Sequence, residues 1–506
     1  MVSGGTKAPI ILGVVGLLLV ALGALLIFLV PVIMKQQVEK NVRIDPSSGF
    51  AYEMWRDLPV PFFMSIYVFE VMNPKEITLG EKPRVEERGP YVYRERKQKT
   101  NITFNENGTV SFVETRSFQF DREKSAGSED DYVLVPNLIV MISSLMTKDM
   151  SYAVRFMLNA AFLVYNQEPF MNRTVKEVLW GYSDPFLDFV NTIVPNALPF
   201  KGKFGLFADF NNSNTGVFTV NTGVEDISKV QMLDTWNGLR EVAYWHSEQA
   251  NMLNGTAGQM WPPFRTPSQP LEFYSPDACR TMKLVYEKEE SFRGIPTYRY
   301  TAPNYLFANG SDYPPNEGFC PCVASGVMNV SSCRFNAPLF LSFPHFYNAD
   351  PGFVEAVDGL HPSEKLHSLF LDLHPLTGIP MNCSIKMQLS LLTMGVSGIT
   401  QIGNIKPVIF PILWFSESGY LDGPVYHTYY NTLIVLPAVL DYLQYIFIAL
   451  GLFFILVSAV LAFAKKEKFC LFWRSNKKLD ENYDITKAQK EKLTASNGTV
   501  VLEAKL

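Results

Sequence analysis

The chain has 506 residues, 44 Lys and Arg against 49 Asp and Glu for a formal charge of −5, 6 cysteines and a mean hydropathy of +0.05. That charge balance leaves no basic footprint for a nucleic-acid partner. The hydropathy is too high for a chain soluble throughout and too low for a bundle of many membrane spans, so it averages two unlike parts.

In chain order, a short tail (residues 1–9) precedes residues 10–33, about 24 residues without a charge, where about 20 suffice to cross a ~30 Å hydrocarbon core as a helix. The run exceeds the apolar core of about 7–15 residues in a signal peptide, and no small-x-small cleavage site follows it, which predicts a retained anchor. Gly13, Gly16 and Gly23 fall in one stripe at 100° per residue, where two helix backbones can approach closely. Residues 34–441 mix charge, proline and glycine and read as one large or two smaller globular units. They carry Asn-x-Ser/Thr acceptors at Asn101, Asn107, Asn172, Asn211, Asn254, Asn309, Asn329 and Asn382, a density expected of a surface facing the secretory lumen.

Within that region residues 62–69 and 109–120 read as strands of alternating or β-branched and aromatic residues closed by turns, which predicts a mainly antiparallel sheet. Residues 137–167 read as two amphipathic helices with core-facing apolar stripes, first Leu138, Ile142, Leu145 and Met146, then Val154, Met157, Leu158, Ala161 and Phe162. Lys148, Asp149 and Arg155 argue against a third span, since each costs roughly 2.5–3.5 kcal/mol at a bilayer centre. Cys279, Cys320, Cys322, Cys333 and Cys383 lie late in the domain, and in an oxidising compartment their spacing suggests disulfides with one thiol left over. Zinc binding is the weaker reading, because Cys320 and Cys322 are separated by one residue where zinc knuckles have two to four. A second apolar run, 442–464, is followed by Lys465, Lys466, Lys468, Arg474, Lys477 and Lys478, which mark residues 465–506 as cytoplasmic. Cys470 sits just inside that span, a setting for palmitoylation. The chain ends Glu503-Ala504-Lys505-Leu506, the form of an apolar C-terminus that PDZ domains take as an added strand.

Several strings match a known family: Asn41-Val-Arg-Ile-Asp-Pro-Ser-Ser48, Val85-Glu-Glu-Arg-Gly-Pro-Tyr-Val-Tyr93, Trp180-Gly-Tyr182, Trp236-Asn-Gly-Leu239, Gly258-Gln-Met-Trp-Pro-Pro-Phe264, Glu317-Gly-Phe-Cys-Pro-Cys322 and Gly359-Leu-His-Pro362. In this order, over almost the whole chain, they resemble the class B scavenger receptors. The resemblance implies a membrane-anchored α+β protein: an ectodomain with an antiparallel β-barrel-like core, an apical helical cluster and an apolar tunnel, flanked by two transmembrane helices. The implied partners are lipoprotein particles and their apolipoproteins, with cholesterol, cholesteryl ester and phospholipid as cargo, a PDZ adaptor at the tail and homo-oligomers formed through the glycine stripe. A plasma-membrane address, including caveolae or lipid rafts, goes with it, and no cofactor is implied.

The family pattern pairs Cys279 with Cys333 and Cys320 with Cys322, one of three ways to pair four. Ala250 stands where some relatives hold a cysteine, which leaves Cys383 unpaired, either buried and inert or reactive in the tunnel. Lys148, Arg155, Arg173 and Lys176 fall where the apex is built and suit acidic apolipoprotein faces or anionic phospholipid. Their plainer reading is solvated surface, since Asp149, Glu168 and Glu177 lie nearby. An ectoenzyme is the rival from another class. Yet there is no His-Glu-x-x-His, the histidines show no paired metal spacing, and Ile399 spoils a nucleophile elbow at Gly395-Val-Ser-Gly398. A fatty-acid or thrombospondin-type receptor and a lysosomal cargo receptor of the same family are the nearer alternatives, the latter weakened by the lack of an acidic dileucine signal between Lys477 and Leu506.

Overall fold

The structure is a computed structural model that describes residues 7–48, 50–58, 60–193 and 203–498. It divides into two units, one drawn from the chain ends (residues 1–35 and 431–506) and one of residues 36–430. The first holds two helices long and apolar enough to cross a membrane, belonging to Lys7–Val42 and Gly423–Lys492. Both run past their apolar stretches, because the Lys-, Glu- and Gln-rich flanks are themselves good helix formers. The glycine stripe faces the chain's own second helix. A Cβ at Gly16 would lie 2.7 Å from the Gly451 carbonyl oxygen, one at Gly23 2.8 Å from that of Gln444, and one at Gly13 3.0 Å from Ser458 Oγ.

The second unit is built on one 13-stranded sheet. Its main path runs Leu233–Trp236, Ser213–Asn221, Thr109–Phe120, Val85–Phe104, Phe62–Val71, Val408–Tyr420, Ile379–Thr393, Phe370–His374, Ile295–Thr301, Arg280–Phe292 and Leu271–Ser275, every neighbour antiparallel. The strands expected at 62–69 and 109–120 are both present, as Phe62–Val71 and Thr109–Phe120. The two ends of the path nearly close into a barrel through one residue. Thr256 bridges Met232 on one side and Phe273 on the other, Gly255 O accepts from Leu233 N at 2.8 Å, and the Trp236 and Tyr274 rings meet at 5.2 Å across the seam. Near closure leaves little edge for another chain to pair with.

Helices cover the end of the barrel opposite Tyr420. Asn137 and Ser151 cap Leu138–Met146 and Tyr152–Val164 by accepting from backbone N–H groups, and Thr174 with Glu177 forms a capping box on Val175–Trp180. The first of these helices buries Leu138, Ile139, Val140 and Met141 against Phe162, Ile409 and Phe410. Met146, expected in its core-facing stripe, is exposed, and Ile142 and Leu145 are half-buried. The second helix departs further: only Asn159 and Phe162 are buried, and Met157, assigned to the core-facing stripe, is exposed together with Tyr152, Phe156, Leu163 and Val164. Phe162, Leu158 and Ala161 of the expected stripe do pack on the core, and a polar anchor joins them: Asn159 Oδ1 accepts from Thr400 N at 2.8 Å and from Thr400 Oγ1 at 2.9 Å.

Candidate functional site

Residues directly opposite one another in a sheet share a face, so the register defines the inside of the barrel. Met64 stands opposite Tyr93 and Glu417, Glu95 opposite Phe118, Lys97 opposite Arg116, Lys99 opposite Glu114, Phe415 opposite Met387, and Cys383 opposite Gly419. Glu417 and Asp277 keep 28% and 43% of their side-chain surface accessible, while Met64, Ile66, Tyr91, Tyr93 and Leu413 on the same face are buried against one another. The barrel wall joins apolar side chains to charged ones. Lys97 pairs with Glu417 and lies 3.6 Å from Glu95; Lys99 donates to Gln259 and, at 2.8 Å, to Trp55 O; Arg116 donates to both oxygens of Asp277 at 2.7 and 3.3 Å. Cys383 is a free thiol opening on this side, and burial, helped by Glu417, pushes it up to about 12, which keeps it protonated and a poor nucleophile.

On the outer face, segment 343–367 covers Tyr67 and Trp414, whose rings stack at 3.8 Å. Glu87 Oε2 accepts from Trp414 Nε1 at 2.7 Å and lies 2.6 Å from His345 Nε2. The His361 N–H points at His345 Nδ1 at 3.0 Å, so in the neutral ring the proton sits on Nε2 and is donated to Glu87. His367 repeats the arrangement, with Nδ1 accepting from Ser363 N at 3.0 Å, and stacks on His345 at 4.4 Å. Burial first, then the neighbouring His345 and Lys386 against the pull of Glu87, hold His367 down to about 4. A depressed histidine stabilises the fold fully above the ordinary value of 6.5, and that contribution is lost as pH falls towards 4. Across that window it amounts to about 3 kcal/mol. The expected result is that the denaturant midpoint of the full chain falls between pH 7 and 4 more steeply than that of His367→Gln. Glu95, raised by burial, works in the opposite sense in both proteins and cancels in the comparison. Parallel curves would remove His367 from the account.

The four cations expected to bind acidic partners do not form one uncommitted patch. Lys148 is exposed in the turn after Leu138–Met146. Arg155 spends its guanidinium on that same turn, donating to Lys148 O at 2.6 Å and Met150 O at 3.0 Å. Arg173 lies over the Tyr182 ring at 4.5 Å and 3.9 Å from Glu177, and Lys176 pairs with Glu129 at 3.0 Å. Disulfides join Cys279 to Cys333 and Cys320 to Cys322, and Cys470 is exposed. Asn101, Asn107, Asn172, Asn211 and Asn254 are exposed; Asn309, Asn329 and Asn382 are partly buried, and Asn382 Nδ2 donates to Asp372 at 3.3 Å. Glu503, Ala504, Lys505 and Leu506 lie outside the described residues.

Sequence reasoning missed the inward charges and the outer histidine pair. The signal for the first was a strand, Val85–Phe104, charged on both alternating faces, of which closure must bury one. No local pattern announces the second, because Glu87, His345, His367 and Trp414 are far apart in the chain.

Comparison with known proteins places this geometry. Residues 14–462 match the CD36 family. "Scavenger receptor class B member 1" of Sus scrofa is 56% identical over 497 residues, covering 98% of this chain and 97% of that one. The protein of the same name from Bos taurus is 54% identical over 506 residues, 100% and 99% of the two chains. "Lysosome membrane protein 2" of Homo sapiens is 35% identical over 432 residues, 84% and 88% of the two.

Proposed function

This chain belongs to the CD36 family as a class B scavenger receptor anchored by two apolar helices, and from that premise we propose that it is a plasma-membrane receptor for high-density lipoprotein. In this reading it takes up cholesteryl ester selectively, leaves the particle behind, and lets free cholesterol move both ways. The observation that carries the reading is identity above one half over nearly the full length to proteins named scavenger receptors, against about one third to a lysosomal membrane protein. A passage inside the barrel gives the reading its physical rationale. Burying a methylene is worth ~0.8 kcal/mol, so wetting ~25 carbons of a sterol ester costs on the order of 20 kcal/mol. Escape over that barrier runs at about one event per minute. A passage through the ectodomain lowers the barrier and needs no nucleotide.

Docking, in this reading, belongs to the exposed Tyr152, Phe156 and Met157 with Lys148 beside them, since Arg155 is engaged in its own turn. The eight Asn acceptors carry the glycans, both tails are cytoplasmic, Cys470 is palmitoylated, and the C-terminal Glu-Ala-Lys-Leu holds a PDZ adaptor. Self-association completes the assembly and has to coexist with the packing of the two helices described above.

Cells expressing the chain should accumulate the labelled sterol ester of high-density lipoprotein several-fold faster than its labelled protein. Equal uptake of the two labels would mean whole-particle endocytosis and end the selective-transfer reading.

A further inference from the structure

The second apolar helix runs on past its uncharged stretch through Lys465-Lys-Glu-Lys-Phe-Cys-Leu-Phe-Trp-Arg-Ser-Asn-Lys-Lys478. Six cations, Lys465, Lys466, Lys468, Arg474, Lys477 and Lys478, stand there against one carboxylate, Glu467, and among the described residues none of the six is held in an ion pair. Between the cations lie Phe469, Leu471, Phe472 and Trp473, each 63% to 65% exposed. Phe469, Phe472 and Trp473 stand at i, i+3 and i+4, so their rings share one face of the helix.

Setting orientation accounts for part of this. Cations next to a span keep its end on the cytoplasmic side, and Lys465, Lys466 and Lys468 suffice for that. Arg474, Lys477 and Lys478 lie further out, and four large apolar side chains in five positions are not the scattered exposure that a soluble surface tolerates. At 1.5 Å per residue, Lys477 stands about 20 Å along the helix from Ala464, whereas charges act over only about 8 Å in physiological salt. A helix running straight into water would screen its outer cations from the membrane and leave the rings wet. Turned along the bilayer surface, the same residues bring all six cations within that length and put the rings at the boundary of headgroups and acyl chains. Residues 461–478 are exposed throughout, so no packing holds the turn after Ala464 straight.

We propose that residues 465–478 bind anionic phospholipid of the leaflet from which the second helix emerges, the six cations over the headgroups and Phe469, Phe472 and Trp473 inserted beneath them. An acidic protein would match the charge equally well, but it has to arrive from solution, whereas the leaflet adjoins the end of the span. The proposal rests on the cytoplasmic reading of this tail in one respect: the cytoplasmic leaflet is the one that carries anionic lipid.

The test uses the full chain in lipid nanodiscs of phosphatidylcholine alone or with about one-third phosphatidylserine. An environment-sensitive fluorophore is attached through Asn476→Cys in a Cys470→Ser background, which also removes any acyl anchor; Cys383, held protonated, is spared. Quenching by acrylamide, an uncharged probe of water access, should be about fivefold weaker in the discs with phosphatidylserine. That difference should vanish in about 1 M salt, where charges act over only about 3 Å. Arg474→Gln, Lys477→Gln and Lys478→Gln together should remove most of it, while Lys465, Lys466 and Lys468 keep the span in place. Phe472→Ser with Trp473→Ser should cut it by about half. Equal quenching in the two discs, or a triple variant that keeps the wild-type difference, overturns the proposal and leaves the segment to an acidic protein. Both faces of a disc carry the same lipid, so this result is independent of which side of a cell membrane the tail occupies. A C-terminal epitope stained on intact cells would defeat only the cytoplasmic reading.

Discussion

Gly255→Val should leave almost no receptor at the cell surface, with the protein held in the secretory pathway carrying immature, endoglycosidase-sensitive glycans. Gly255 sits at φ +78°, and a Cβ there would lie 2.1 Å from the Glu272 carbonyl oxygen and 2.2 Å from its carbon. The clash is with backbone and begins at the first side-chain atom, so no rotamer escapes it. Left-handed backbone adds roughly 1–2 kcal/mol for any residue with a Cβ. The position is also the barrel seam: if Gly255 moves away from Glu272, the bridges of Thr256 to Met232 and Phe273 are lost with it. The substitution keeps the Asn254 acceptor intact, because valine is allowed between Asn and Thr, so a maturation defect cannot be traced to a lost glycan. Gly238→Ala is the control. It has φ +77° but nothing within 4 Å of the added carbon, and it should mature nearly as wild type. Normal maturation of Gly255→Val would show that the seam does not hold the barrel.

Cysteines placed at Gly13 and Ser458 should form a disulfide within one chain in most of the protein under mild oxidation. The Cβ atoms would stand 3.7 Å apart, close to the ~3.8 Å mean of natural disulfides. Adding Gly451→Leu should reduce the crosslink to background. A Cβ at Gly451 would lie 2.6 Å from the Gly16 carbonyl oxygen and 2.7 Å from Val20 Cγ2, so the side chain forces the helices apart. In a bilayer, helix pairs depend on such close backbone contact because lipid tails solvate apolar side chains as well as a neighbouring helix does. Cleavage of the outer domain, followed by electrophoresis without reductant, reports whether the two end fragments stay joined. A crosslink found only between chains would restore the stripe to self-association.

These two sites show where sequence reading stops. The glycine spacing announced a close helix partner, but nothing in a periodicity says which helix it is. Strand and helix positions were legible because alternation and caps are local: Asn137, Ser151 and Thr174 each mark a helix start within a few residues. Near closure into a barrel came only with the family resemblance, since locally it depends on Gly255 and Thr256 meeting strands on both sides. The apolar stripe at 152–164 predicted burial for Met157 because burial is what such stripes usually mean. The structure adds a polar anchor between Asn159 and Thr400, a contact between residues 241 positions apart, and leaves Met157 in the open.

The strand Phe62–Val71 lies between Val85–Phe104 and Val408–Tyr420, so the first long strand of the domain to be made pairs with the last. During synthesis it must wait, one side satisfied and the other bare, until some 340 further residues have been made. An unpaired strand row is a template for wrong partners. Nascent chains are therefore most vulnerable just before residue 408 arrives, and any truncation upstream of it yields not a smaller receptor but an open sheet for the quality-control machinery to clear.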